Sequence, residues 1–123
     1  MRRVTAPSQT SCGSTTNGTT VQFDVFVNPV IAARRAYPFV VILQSDFAAT
    51  TRDRLVAPLV PRSALAPIAG RLTPIVEIDS KEHVVLVADL AGVRQRDLAM
   101  PVGSLAARRA DLLDAIDYLF FGV

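Results

Sequence analysis

From Val21 onward, apolar residues fall at a changing period that divides the chain into elements. Val21, Phe23, Val25 and Val27 alternate with Gln22, Asp24 and Phe26, the period of a strand with one buried face. Asn28-Pro29 opens a turn, and a loop with Arg34 and Arg35 leads to Pro38. The run FVVIL that follows is β-branched and of strand length, as expected of a strand buried on both faces. Ser45 to Asp53 is polar, with Phe47 isolated inside it. Leu55 to Val60 is a third predicted strand, and Pro58 within it argues for a sheet edge or a bulge. Pro61, Pro67 and Gly70 leave room only for a short helical turn over Ser63 to Ala69. Ile75, Val76 and Ile78 predict a fourth strand, with a hairpin turn at Asp79-Ser80-Lys81. His83 to Ala88 predicts a fifth strand, and Leu98 to Val102 a short sixth. Strands at this spacing with short connections predict an antiparallel meander, either a small sheet or a partly open barrel.

The last segment changes period. SLAARRADLLDAIDYLFF contains no Gly or Pro, and Ser104 is a candidate N-cap. Leu105, Leu112, Ile116 and Leu119 recur at helical spacing, flanked by Leu113 and Phe120. Phe120, four residues after Ile116, continues this apolar stripe. Phe121 follows Asp117 by four and Asp114 by seven, which puts its ring on the polar face. Either the chain turns at its end and tucks Phe121 and Val123 inward, or the ring is exposed or covered by a second chain. Burying one Phe is worth about 1.5–3 kcal/mol, a gain that favours tucking in the absence of a partner. The fold class is therefore α+β: mainly β, with one C-terminal helix packed on the sheet.

Charge sharpens the division at Val21. The 123 residues carry 13 basic and 11 acidic side chains, for a net charge of +2. Arg2 and Arg3 are the only charged residues in the first twenty, so residues 21–123 hold eleven of each sign. The basic excess that would suggest a nucleic-acid binder lies outside the patterned region. The stretch TAPSQTSCGSTTNGTT is too polar to offset its ordering entropy, and residues 1–20 are expected to be a disordered tail. Cys12, the single cysteine, rules out an intramolecular disulfide and has no activating neighbour. No apolar stretch follows Arg2 and Arg3 as a secretory signal requires, and no run approaches the length of a membrane span. The expectation is a soluble cytoplasmic protein whose domain spans residues 21–123.

Several short motifs carry a more specific signal. VQFDVF, LQSDF, LVAPL, the stretch Ala88 to Val93, and above all the closing DAIDYLFFGV resemble the CcdB toxins of bacterial type II toxin–antitoxin modules. Those toxins open on Met-Gln-Phe, carry Val-Gln-Ser-Asp before a loop, and close on Ala-Ile-Asn-Leu-Met-Phe-Trp-Gly-Ile. The resemblance runs from Val21 to Val123, with an insertion in the Asn28–Ala36 loop and a gap near Ser63–Gly70. It implies a CcdB/MazF-like small barrel, an antiparallel sheet extended by a small second sheet and ending in a helix. It also implies a homodimer with the two terminal helices side by side. The implied activity is binding to the A subunit of DNA gyrase and trapping of the cleaved gyrase–DNA complex, with neutralisation by a CcdA-type antitoxin. DNA is then reached only through gyrase, and the toxin is not an enzyme. Carried over by position, the gyrase-binding residues are Phe121, Gly122 and Val123, with Asp117 in place of the family's Asn, and Phe47 and Ala48 after Gln-Ser-Asp. Phe121 replaces a Trp, keeping a ring that can stack on a guanidinium but losing area and the ring N–H. The family starts at the position of Val21. Because GUG encodes Val internally and Met at initiation, Val21 is the expected native start.

Other chemistry is sparse. His83 is the only histidine and is expected to be an ordinary surface residue, with no Ser or Cys partner placed beside it. Asp111, Asp114 and Asp117 are expected to be solvated rather than a cation site, and no other cluster suggests a metal or cofactor. The rival enzymatic reading is a MazF-like endoribonuclease using Arg34, Arg35, Thr51, Arg52 and Arg54 in loops, a reading that rests on fold kinship. A third is a decayed, non-toxic CcdB-fold interaction module, suggested by Phe121 and Asp117.

Overall fold

Alternating burial along short strands builds the molecule. The computed structural model describes residues 20–48, 52–64 and 70–122. The expected tail through residue 19, Cys12, Thr51, Val123, the far end of the Ser63–Ala69 turn and the side chain of Phe47 lie outside the described residues. The strands are β1 (Asp24–Val27), β2 (Phe39–Ile42), β3 (Asp53–Pro61), β4 (Ile75–Ile78), β5 (Lys81–Val85), β6 (Ala91–Arg94) and β7 (Gly103–Ser104), followed by the helix α1 (Arg109–Phe121). All pairings are antiparallel, in the order β4-β5-β3-β2-β1-β7, with β6 also on β3. The sheet curls into a nearly closed barrel. The small second sheet implied by the resemblance is a branch of the first. The N-terminal half of β3 pairs with β6 (Asp53↔Arg94 to Val56↔Ala91), and its C-terminal half pairs with β5 (Leu59↔Val85 to Pro61↔His83).

Two apolar clusters lie on the two faces. One packs Phe23, Val25, Val41, Leu59 and Val85 beneath Leu112 and Ala115 of α1. The other packs Phe26, Val40, Ile42, Val56 and Leu98. β2 is thus buried on both faces, as its unbroken β-branched run predicts. β1 departs from its predicted single buried face. Phe26 is fully buried and Asp24 is buried with it, while Val27 is exposed. The second cluster covers the face that alternation alone leaves to solvent.

Other boundaries move for local reasons. Pro58 lies in the central strand rather than at an edge or bulge. It sits between the β6 and β5 partners of β3, where the ladder is already interrupted, and its carbonyl accepts from the N–H of Leu86. The missing donor therefore costs no ladder bond. The fifth strand stops at Val85 because the chain turns through a 3-10 turn, Val87–Asp89. No strand forms over Leu98 to Val102; Leu98 is a core side chain and the strand follows at Gly103. The sequence pattern does not predict β6, since Ala91-Gly92 has little strand propensity. The hairpin turn is as predicted, with Asp79 (φ 52°) and Ser80 (φ 66°) both left-handed in a tight two-residue connection. Ser104 does not cap α1. Its Oγ accepts from the N–H of Ala106 at 3.2 Å, ahead of a 3-10 turn that leads into the helix.

Candidate functional site

The end of α1 is fixed by Gly122, which adopts the left-handed conformation (φ 71°) and donates its N–H to the carbonyl of Tyr118 at 3.0 Å. The helix buries Leu112 and Ala115, with Leu113, Ile116 and Leu119 half-buried beside them. At about 100° per residue, Phe121 falls opposite Leu112. Its ring is 74% exposed, so it is not tucked inward. Phe120 also departs from expectation. It lies about 80° from the Leu112 direction on the last turn, where the stripe has run out, and is 60% exposed. Tyr118 is exposed as well. The terminal turn therefore offers three aromatic rings to solvent.

The second part of the surface is the turn after β2. Asp46–Ala48 forms a 3-10 turn, and the Gln-Ser-Asp residues brace it. The Asp46 carboxylate accepts from the backbone N–H of Gln22 at 2.8 Å, and the Gln22 side chain donates to the carbonyl of Leu43 at 3.0 Å. The Gln44 amide donates to the carbonyl of Ala48 and accepts from the N–H of Leu55. Next to Gln22, Phe23 takes a positive φ of 73°, a strained conformation for a large side chain. Phe23 is held there by bonds to Ile42 and Leu105 and by the guanidinium of Arg109, 5.8 Å from its ring centre.

Asp24 lies beside this brace. Burial pushes its carboxyl up to about 6; the Val21 N–H, at 3.3 Å, partly opposes that shift, and the nearby charge of Asp46 adds to it. The helix acids sit differently. Asp111 pairs with Arg108 one turn away. Arg71 holds Asp114 through two bonds of 2.8 and 3.0 Å, which keep the Asp114 carboxyl below the usual carboxylate range and the Arg71 guanidinium above its own. Asp117 is exposed and makes no ion pair among the described residues. It lies near the helix C-terminus, where a negative charge is unfavourable.

Among the described residues of one chain, these two parts lie at opposite ends of α1. The brace adjoins Phe23, on which Arg109 of the first turn of α1 rests. Phe121 lies twelve residues further, about 18 Å along the axis. No hydrogen bond or ion pair among the described residues joins Asp117, Phe121 or Gly122 to Asp46–Ala48. The rival arginines are divided too. Arg34 donates to the carbonyl of Asn28 in the loop beyond Phe39. Arg54 is buried at the other end of the sheet, bonded to Thr20 and the carbonyl of Asp53. Phe39 pairs with Leu59, five residues from Arg54, about 17 Å along β3.

His83 is buried, not a surface residue. It shares the inward face of β5 with Val85, its ring stands edge-on to Phe39, and Nδ1 lies 3.0 Å from the carbonyl of Lys81. Among the described residues, no group of three His, Cys, Asp or Glu side chains is arranged to hold a metal, and no helix is long and apolar enough to cross a membrane. Gln22 and Gln44 carried a sequence signal only as parts of motifs. Arg71 carried none, since its partner is 43 residues away.

A family model described as CcdB protein matches residues 22–122. A crystal structure of an Mtb toxin shares 22% sequence identity and superposes with a TM-score of 0.56, over 69% of this chain and 93% of the neighbour. At that identity the likeness is one of fold.

Proposed function

The chain belongs to the CcdB family, and from that premise we propose that it is the toxin of a toxin–antitoxin pair which binds the A subunit of DNA gyrase. It traps the cleaved gyrase–DNA complex by binding rather than by catalysis, acts in the cytoplasm, and is neutralised by a CcdA-type antitoxin. The observation that carries this reading is Phe121, a ring 74% exposed on the outer face of the last helical turn. In that position it can stack on a partner's guanidinium, and closing the contact recovers burial worth about 1.5–3 kcal/mol. Asp117, exposed one turn earlier, suits the same cationic partner. Gly122 and Val123 complete the tail, and Phe47 and Ala48 contribute from the braced turn. Because the turn and the tail lie apart in one chain, the full face is that of a homodimer with the terminal helices side by side.

Expressing residues 21–123 in a gyrase-dependent host tests the reading. Growth arrest with trapped gyrase–DNA breaks, relieved by mutation of gyrase A, is the expected outcome. RNA loss without breaks would instead indicate the endoribonuclease, and a soluble dimer with no effect the decayed module. Phe121→Ala is expected to abolish arrest while leaving the dimer folded. Unfolding of that variant would mean the ring serves packing.

A further inference from the structure

We propose that Arg71 is a positioning residue for the target-binding face of α1, fixing the last helical turns that carry Asp117, Phe121 and Gly122. The proposal rests on the gyrase reading for its consequence, but its geometry is independent of it. Arg71 makes a planar two-point contact with Asp114, Nε to Oδ2 at 3.0 Å and Nη2 to Oδ1 at 2.8 Å. The same guanidinium lies 4.6 Å from the ring centre of Tyr118, one helical turn further on. One flat cation thus engages two consecutive turns of the helix.

The arm that bears it is anchored to the sheet. The carbonyls of Leu72 and Pro74 accept from the N–H groups of Val87 and Val85. Between this arm and the helix lies a groove of about 400 Å³, lined in part by Pro74, Ile75, Arg108 and Asp111. Apolar packing does not close that gap, and Arg71 spans it. The helix needs such a tie at this end. Its buried residues are Leu112 and Ala115, and beyond them only Ile116 and Leu119 are half-buried. Tyr118, Asp117 and Phe121 follow one another around the outer face, so a tie at Asp114 and Tyr118 limits fraying where the recognition ring projects.

The test uses the full chain and the variants Arg71→Ala and Arg71→Lys. Lys keeps the charge but offers neither the two-point fork nor the flat stacking surface. In Arg71→Ala, amide hydrogen exchange at Phe121 and Gly122 is expected to speed up about five- to tenfold, from loss of one exposed ion pair and one stacking contact, and in Arg71→Lys, which keeps the charge, about two- to threefold. Exchange at Leu112 and Ala115 speeds up by no more than that factor and the melting temperature falls by a few degrees, because the lost contacts count against global unfolding as well. Affinity for a purified gyrase A fragment falls by up to that factor, in proportion to the ordered fraction of the helix end. Unchanged exchange at the helix end, or full rescue by Lys, overturns the proposal. Faster terminal exchange with undiminished gyrase affinity overturns its role in recognition. If the parent chain itself binds no gyrase A, the functional reading fails, and the exchange result alone decides whether Arg71 orders the helix end.

Discussion

Asp24 is a carboxyl whose folded environment disfavours its charge. Burial is the main cause, and Asp46 adds a second negative charge nearby. Its folded value, about 6, lies above its unfolded value, so folding takes up a proton between the two. The resulting stabilisation is fully present below the ordinary carboxylate range and is lost as pH rises through 6. Asp24→Asn keeps an oxygen to accept the Val21 N–H and removes the charge. It is expected to stabilise the protein at pH 8 by about 1–3 kcal/mol and to have little effect at pH 4. Urea unfolding of both proteins at the two pH values checks this; an equal shift at both would refute the linkage. Nothing in the local sequence betrays Asp24. It occupies a solvent-facing position in a strand of period 2, and only the second cluster, assembled from β2, β3 and Leu98, encloses it. Phe121 is the converse case. Its angular position on the helix was legible from spacing alone, but whether the ring turned inward depended on the end of the helix, which Gly122 sets.

At the scale of elements, the strands that announced themselves were those with β-branched cores, such as Phe39–Ile42 and Ile75–Ile78. Those missed draw their pairing from neighbours: β6 exists because the first half of β3 has a free side once β5 ends, and β7 because β1 offers Asp24 and Val25. The β4–β5 connection shows local chemistry and pairing in partial conflict. Both central residues are left-handed, yet neither Asp79 nor Ser80 is glycine. Asp tolerates that region through its short polar side chain, whereas Ser does so less well. Ser80→Gly is expected to raise stability by about 0.5–1 kcal/mol, the relief of backbone strain exceeding the entropy glycine adds to the unfolded chain. A lower urea midpoint for this variant would mean that the Ser80 side chain contributes more than its backbone costs. At the other end of the chain, Gly122 is held at φ 71° with open space around it. Gly122→Ala therefore strains the backbone without a clash. A loss of about 1 kcal/mol is expected, read as a lower melting temperature and faster exchange in the last turn.

At the scale of the molecule, the proposed binding face has two parts that one chain holds apart. Gln22, Phe23 and Asp46–Ala48 gather near the first turn of α1, whereas Phe121 projects from its last. A two-fold axis that lays two such helices side by side and antiparallel brings the turn of one protomer to the tail of the other. The proposed homodimer would then carry two faces, and each face would draw on both chains. That arrangement makes a prediction no single-chain face can meet. Ala48→Glu places a charge in the turn, and Phe121→Ala removes the ring from the tail; each variant alone is expected to lose gyrase binding. In a mixed dimer of the two, one face pairs the damaged turn with the damaged tail. The other pairs an intact turn with an intact tail. Unfolding and refolding an equal mixture gives half mixed dimers by random pairing, so about a quarter of the parental binding capacity should return. If each face belonged to a single chain, every face in the mixture would stay damaged. Titration of the refolded mixture with a gyrase A fragment separates the two cases, and no recovered capacity from well-folded dimers would place both parts of the face within one protomer.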